Sequence, residues 1–408
     1  MDAVAGYLSA VLKPRKEEDA IDRLNFQWSS WLMLAFSVTL SAKEYLGAPL
    51  QCWQPAQFTG GWEQYVHDYC FVENTYWLPF QENIPDEPPD RDSRMLSYYQ
   101  WVPFVMALMA LMFILPHFFW RSLNFLSGIP VRGLLNIDIQ APENQAEVAH
   151  HLQDALEIQG RFGSGNPLGW VVSCFRRTGV YVVSTYLITK LLFVVNLILQ
   201  FRILNYFLGP GHDFWGFDVF SDLVSGSDWK TSGQFPRATL CDFQVRVLGN
   251  IQRHTVQCVL VINMLNEKIF IFLWWWFLLV FILTAVSIVQ WLLFFAFPAS
   301  QESFVRRLLE VHGSGDGHAD GRVAHFVRHF LRTDGVFTLR LMAINNGELR
   351  TSGVVGNLWA EYAKEYANSR PLPNLGHFAS APPGKEPLLS SSEGSESPKV
   401  PPLASSFA

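Results

Sequence analysis

Charged side chains are scarce in this 408-residue chain: Asp, Glu, Lys and Arg make up 16% of it, where a soluble globular domain carries about a quarter. The net charge of −6 supplies no basic field, which excludes nucleic acid as a partner. Cysteine is sparse too, five in all. Enzymatic constellations are missing. No HExxH or GxSxG run occurs, and His150 and His151 stand outside any zincin pattern. The glycine-rich stretch 160–165 lacks a P-loop lysine. Asp316, His318, Asp320 and Gly321 imitate the opening of a calcium loop, but Val327 occupies the closing acidic position. The expectation is a protein with no catalytic residues, no metal ligands and no cofactor.

What the chain has instead is apolar length. Half of it is hydrophobic and 15% aromatic, and a membrane helix needs roughly 20 largely apolar residues. Residues 95–120 carry no formal charge, and a long block between Lys268 and Glu302 reads IFIFLWWWFLLVFILTAVSIVQWLLFFAF. Residues 180–208 are apolar but interrupted by Lys190, Asn196 and Arg202. Residues 28–46 are the most polar candidate, dotted with Ser29, Ser30, Ser37, Thr39 and Ser41 and ending in Lys43 and Glu44; a buried soluble helix is the competing reading of that segment. Four spans are expected, at 28–46, 98–120, 179–208 and 269–297. The short apolar run 3–12 precedes its positive charges, so no cleavable signal is expected. Trp101, Trp120 and Trp291 sit near span ends, where amphipathic rings meet headgroups. Pro103 and Pro116 are expected to kink the second span, and Lys190 to find a carboxylate or carbonyl.

Two cysteine pairs of similar spacing, Cys52 with Cys70 and Cys241 with Cys258, each lie in a segment between apolar stretches. With four spans both segments (47–97 and 209–268) fall on one side of the membrane, and paired cysteines there point to an oxidising exterior. Four cysteines allow three connectivities, and spacing does not choose among them. Cys174 stands alone in the loop 121–178 and is expected to stay reduced. Charge does not settle orientation, since Lys230, Arg237, Arg246, Arg253 and Lys268 crowd the segment the cysteines place outside. The first outer segment is dense in aromatics, and the second holds the alternating CVLVI run, a strand pattern. A helix is expected over 142–158, further helices over 303–312 and 324–331 within a folded region 298–370, and a disordered Pro/Ser/Gly-rich tail over 371–408. Residues 1–27 form the segment ahead of the first span.

Tyr98-Tyr99-Gln100-Trp101-Val102-Pro103 opens the second apolar block, and YYQWVP resembles the motif of the innexins, the invertebrate gap-junction proteins. The likeness extends to DRLN at 22–25, CWQPAQF at 52–58, TKLLFVVNLILQF at 189–201, the run from FPRATLC to FIFLW at 235–274 and DGVFTLRLMAINN at 334–346. It covers residues 1–362 in unbroken order. The resemblance implies a mainly α membrane protein: a four-helix subunit with a small disulfide-braced α/β outer domain and a helical cytoplasmic domain, both termini cytoplasmic, assembled as an octameric ring. Two rings on apposed cells would dock through the outer segments at a plasma-membrane gap junction and pass ions and small molecules. Membrane lipid and other innexins are the remaining partners implied. The family pattern pairs Cys52 with Cys258 and Cys70 with Cys241. It folds the N-terminus into the pore mouth, which makes Met1, Asp2, Ala3 and Gly6 pore-lining candidates, together with Ser37, Ser41 and Glu44 on the first span. Charge repeated around a ring then sets selectivity. Two other readings compete: an undocked, pannexin-like large-pore hemichannel, and a four-span adhesion or scaffold protein. None of Asn74, Asn83, Asn250, Asn263 and Asn266 begins an Asn-x-Ser/Thr site, so no glycan there would obstruct docking.

Overall fold

Four helices pack side by side; three of them (residues 20–45, 102–125 and 261–296) are joined in sequence to strands of a small sheet at one end of the bundle, and a helical domain packs at the other end. The computed structural model describes residues 18–79, 81–137, 139–161, 178–208, 235–313 and 320–369. The expectations for residues 1–17, for Cys174 and for the tail from 371 lie outside those residues.

The first helix, α1, runs as Ala20–Arg23, a π-helical stretch Leu24–Ser29, and Ser30–Tyr45. Asp19 caps its start, accepting from the Ile21 amide at 3.4 Å. In the π stretch the Ser29 hydroxyl donates to the Leu24 carbonyl at 2.9 Å, so the side chain serves a group the widened turn leaves over. Next come β1 (Leu50–Cys52), α2 (Gly60–Val72), β2 (Thr75–Tyr76), α3 (Pro88–Asp92) and β3 (Met95–Leu96). The second bundle helix is α4 (Val102–Phe125), followed by α5 (Val131–Asn136) and α6 (Pro142–Arg161). The third is α7 (Tyr181–Leu208). A hairpin of β4 (Ala238–Val247) and β5 (Asn250–Leu260) leads without a break into the fourth, α8 (Val261–Ala296). The helical domain ends the described chain with α9 (Pro298–Val311), α10 (Asp320–His325, then π-helical Phe326–Leu331), α11 (Arg332–Asn346) and α12 (Glu348–Ser369).

Among the described residues three helices are long and apolar enough to cross a membrane: Val102–Phe125, Tyr181–Tyr206 and Val261–Ala296. The α-helical part of α1, Ser30–Tyr45, has only 16 residues and is not among them. The bundle leaves apolar stripes uncovered at helical spacing: Phe104, Leu108, Leu111, Leu115 and Phe118 on α4, and Leu279, Ile282, Val286 and Val289 on α8. Such stripes are costly in water and are what a hydrocarbon environment requires.

Two sequence expectations change. Pro103 lies in the first turn of α4, where its missing amide has no intrahelical partner to lose, so only Pro116 is interior to the helix. Trp120 and Trp291 are buried instead of facing headgroups. They pack with Tyr186 and Phe337, the Tyr186 centroid lying 5.2 Å from each tryptophan and 4.9 Å from Phe337. That cluster fastens α11 of the helical domain to α4, α7 and α8.

The sheet is antiparallel, ordered β1-β5-β4-β2-β3. Along β4 and β5, Thr239, Cys241, Phe243, Val256, Cys258 and Leu260 are buried, as period-2 alternation demands. They continue one hydrophobic core that runs from Met33 and Leu40 through Phe113 and Phe277 to Val66 and Cys70 of α2.

Candidate functional site

Two constellations stand out, one at each end of the bundle. At the sheet end, Cys52 sits directly opposite Cys258 in the β1–β5 register and is bonded to it. Cys70 projects from α2 and is bonded to Cys241 of β4. The sulfurs of Cys52, Cys70 and Cys258 lie within 4.8 Å of one another. All are consumed in covalent bonds, so this cluster is a brace and holds no thiolate for a metal. The bonds close loops of 206 and 171 residues. In the chain-entropy account a loop of either size restrains the unfolded chain by roughly 5 kcal/mol, the second adding less because the first already holds its ends near.

The other face of the sheet is polar. Arg91 Nη1 lies 2.5 Å from Asp242 Oδ2, while Oδ1 accepts from the Tyr76 hydroxyl at 3.2 Å and from Thr255 Oγ1 at 2.7 Å. Burial first, and then the Asp242 charge, pushes the Tyr76 hydroxyl up to about 12.

The YYQWVP residues join this domain to α4. Tyr98 packs edge-on against Phe235 and Tyr99. The Tyr99 ring is fully buried, and its hydroxyl donates to the Phe71 carbonyl at 3.3 Å. Gln100 Nε2 donates to the Phe71 carbonyl, to the Val72 carbonyl at 3.3 Å and to Asn74 Oδ1 at 3.2 Å. It thereby takes up carbonyls that the end of α2 leaves open. Asn74 itself adopts φ 78°, a left-handed helix stop. Trp101 is exposed at the cap of α4; Val102 is buried, and the Pro103 carbonyl accepts from Ser37 Oγ at 2.8 Å.

At the opposite end, α1 is held by polar groups. Lys190 Nζ lies 2.8 Å from Asp22 and 3.3 Å from Asp19, and donates to Ser287 Oγ at 2.7 Å. The Tyr186 hydroxyl donates to Asp22 at 2.6 Å. Asp19 also accepts from Ser287 at 3.2 Å and Trp291 Nε1 at 3.2 Å. Burial raises the Asp19 carboxyl, but Lys190 and the hydrogen bonds from Trp291, Lys190 and the Ile21 amide together hold it below its ordinary value. Asn25 donates to Thr284 at 2.8 Å and Trp276 Nε1 to Ser29 at 3.0 Å, so a single face of α8 pins the start of α1. Arg23 donates to Asn345 of α11 at 2.9 Å, and Glu18 meets His117 of α4 at 2.7 Å. Asp334 accepts from the Val183 amide at 3.1 Å, capping the first turn of α7 from the helical domain.

The segments DRLN, TKLL and DGVFTLRLMAINN, far apart in sequence, thus meet at one place. Of the pore-wall candidates, Ser37 and Glu44 are both buried within the subunit and Ser41 is half-buried. Buried positions on α1 follow Phe26, Ser30, Met33, Ser37, Leu40 and Glu44, a helical stripe turned toward the bundle. Ser37 and Glu44 therefore belong to the packed face, and the opposite, uncovered face carries Trp31, Leu34, Ala35, Val38, Thr39 and Ala42. Met1, Asp2, Ala3 and Gly6 lie outside the described residues.

Comparison with known proteins resolves the affiliation. The Innexin family model matches residues 18–362. Innexin unc-9 of Caenorhabditis elegans is 42% identical over 359 residues, covering 85% of this chain and 92% of that protein. Innexin eat-5 and Innexin-3 of the same organism are each 36% identical, covering 89% and 93% of this chain and 91% and 92% of their own lengths. The chain belongs to the innexin family. Innexins are gap-junction channel subunits, not enzymes. For this innexin the constellations are accordingly structural parts of a channel subunit: a covalently braced sheet domain and a charged anchor that holds the start of α1 in the bundle. Sequence reasoning placed a partner on Lys190 but missed the anchor. The one visible sign was the acidic pair Asp19 and Asp22 just ahead of an apolar run.

Proposed function

We propose that this innexin crosses the plasma membrane four times, with α1 as the first span and both termini in the cytoplasm, and assembles as an octameric ring whose sheet domains dock with a ring on the apposed cell. Support for the fourth span comes from length. The continuous helical run from Ala20 to Tyr45 is 26 residues, roughly 39 Å at 1.5 Å per residue, and a hydrocarbon core is about 30 Å thick. The π stretch divides it, and Asn25, Gln27 and its serines leave it more polar than the other three. With it, the C-terminal end of α1 and the N-terminal ends of α4 and α8 adjoin the strands, and α7 runs antiparallel to α8, with Lys190 at Ser287 and Phe201 at Trp274, which supports an up-down arrangement with an even number of crossings.

In this reading residues 1–17, with Asp2 in a ring of repeated charge, narrow the pore, and Ser41 with the uncovered face of α1 lines it. Ser37 and Glu44 serve packing. Homomeric rings and rings mixed with other innexins are equally compatible with this geometry.

The observation that carries docking is the tip of the β4–β5 hairpin. Leu248 and Gly249 form a two-residue turn, both with positive φ (48° and 90°). Leu248 is fully exposed there and Ile251 largely so. An apolar residue held in left-handed backbone with nothing over it costs stability in the lone subunit and is offset by a contact outside it. Paired-cell electrical recording tests this. Current should pass between cells only when both express the chain, and Leu248→Asn, which relieves the backbone and removes the apolar tip, should reduce that current several-fold at equal surface expression. Leak in single cells without any coupling would overturn docking.

A further inference from the structure

A cavity of about 520 Å³ opens where α8 ends, walled by Phe294 of α8, Ser303, Phe304 and Arg307 of α9, and Arg340 and Ile344 of α11. Nothing in the channel reading uses it. Its chemistry is specific. The Arg340 guanidinium lies over Phe294, 3.7 Å from the ring centroid, and 4.6 Å from that of Trp291. Those two contacts fix its plane. Among the described residues it makes no ion pair, and its Nη1 is buried with no acceptor. Asp19, the acid whose field reaches it, already serves Lys190, Ser287 and Trp291. Burial pulls the Arg340 pKa down, the mark of a cation short of counter-charge.

Across the cavity Arg307 lies over Phe304, 6.0 Å from the ring centroid, and reaches Glu348 at 2.6 Å. That pair is about half exposed on both sides, so its contribution is small and Arg307 is free to exchange partners. Two arginines against one glutamate leave the cavity net positive, with aromatic and aliphatic walls.

A planar cation with unspent donors fits an oxyanion, and phosphate is the oxyanion that guanidinium forks match best. The apolar walls fit a ligand with a hydrocarbon portion, and basic pockets at the cytoplasmic end of membrane helices take up lipid headgroups. We propose that Arg340 and Arg307 form a binding site for a phosphate-bearing anion at the cytoplasmic end of α8. Two sources share that chemistry, the headgroup of an anionic inner-leaflet phospholipid and a free phosphate. The lipid source rests on α8 crossing the bilayer, whereas the free anion does not.

The test uses the full-length oligomer. In the first arm it is equilibrated in mixed micelles of phosphatidylcholine and phosphatidylserine in equal parts, and the retained lipids are counted by mass spectrometry. The native chain should retain phosphatidylserine preferentially. Arg340→Gln should cut that preference on the order of tenfold, as expected for loss of a charge-assisted contact. Ser303→Glu, an exposed change that sets a carboxylate in the cavity wall and leaves the Arg340 stacking intact, should do the same even if Arg340→Gln fails to assemble. Arg350→Gln, which removes an exposed charge outside the cavity, should leave retention unchanged. In the second arm, inorganic phosphate is added to lipid-free oligomer and Tm is read. A rise in the native chain that is lost in Ser303→Glu assigns the site to a free anion; lipid preference without that rise assigns it to the headgroup. If Ser303→Glu retains phosphatidylserine like the native chain and phosphate moves no Tm, the proposal is wrong, and paired-cell current would be unaffected by that failure.

Discussion

The two ends of the bundle solve the same problem by opposite chemistry. At the sheet end, segments distant in sequence are joined by covalent bonds, Cys52 to Cys258 and Cys70 to Cys241, laid on an apolar core. At the helical-domain end, α1, α7, α8 and α11 are joined by Lys190 with Asp19 and Asp22, by Asn25 with Thr284 and by Arg23 with Asn345. Disulfides persist only where the medium is oxidising, whereas charges and hydrogen bonds form in either medium. The difference teaches which end can change. A cystine restrains its partners whatever the solvent, whereas a buried ion pair holds only while both charges are present. The end that holds the start of α1 is therefore the end whose hold can be released.

The sharpest way to break the comparison is at Lys190. Lys190→Met leaves Asp19 and Asp22 buried with no cation beside them, and breaking a buried pair from one side costs about 3–5 kcal/mol. Thermal unfolding of the purified oligomer should show the loss, and adding Asp22→Asn should restore part of it. Recovery nowhere in that double variant would mean that the ammonium acts by packing alone. Next, Cys70→Ser with Cys241→Ser should cost about 2–5 kcal/mol. It should make the sheet domain sensitive to protease while leaving amide protection of α11 unchanged. Equal loosening of both ends would erase the distinction drawn here.

The smallest effect is at Tyr76. Its raised pKa means that the folded state holds the phenol proton more tightly than the unfolded chain does. The stability it contributes is whole below pH 10 and is lost as pH rises toward about 12. Asp242→Asn should lower the midpoint but leave it above 10.0, since burial is the larger cause. The difference in phenolate absorbance against Tyr76→Phe measures it.

Legibility differed by element. The helices α4, α7 and α8 could be read because a run of apolar residues suits a membrane helix whatever surrounds it. Even so, α8 begins at Val261, ahead of Lys268 and inside what reads as an outer segment, because Glu267 is buried in the structure between Arg237 at 3.0 Å and Lys268 at 2.7 Å. Paired charges cross a boundary that hydropathy draws. On α1 the serines suit a wet wall and helix packing equally, and Ser29, Ser30 and Ser37 spend their hydroxyls on carbonyls and a tryptophan within the subunit. A hydroxyl that finds an acceptor inside a bundle has the same sequence appearance as one that faces water.

Composition and order alone pointed to a membrane protein of the innexin family with paired cysteines between apolar stretches, because apolar length, cysteine segregation and motif order are properties of the string. The cysteine pairing followed from the family resemblance and not from spacing; which face of α1 packs, which acids Lys190 balances and that Arg340 is left without one were decided only by the fold. Each depends on residues from about fifty to more than a hundred positions apart arriving within a few ångströms, and no local pattern carries that information.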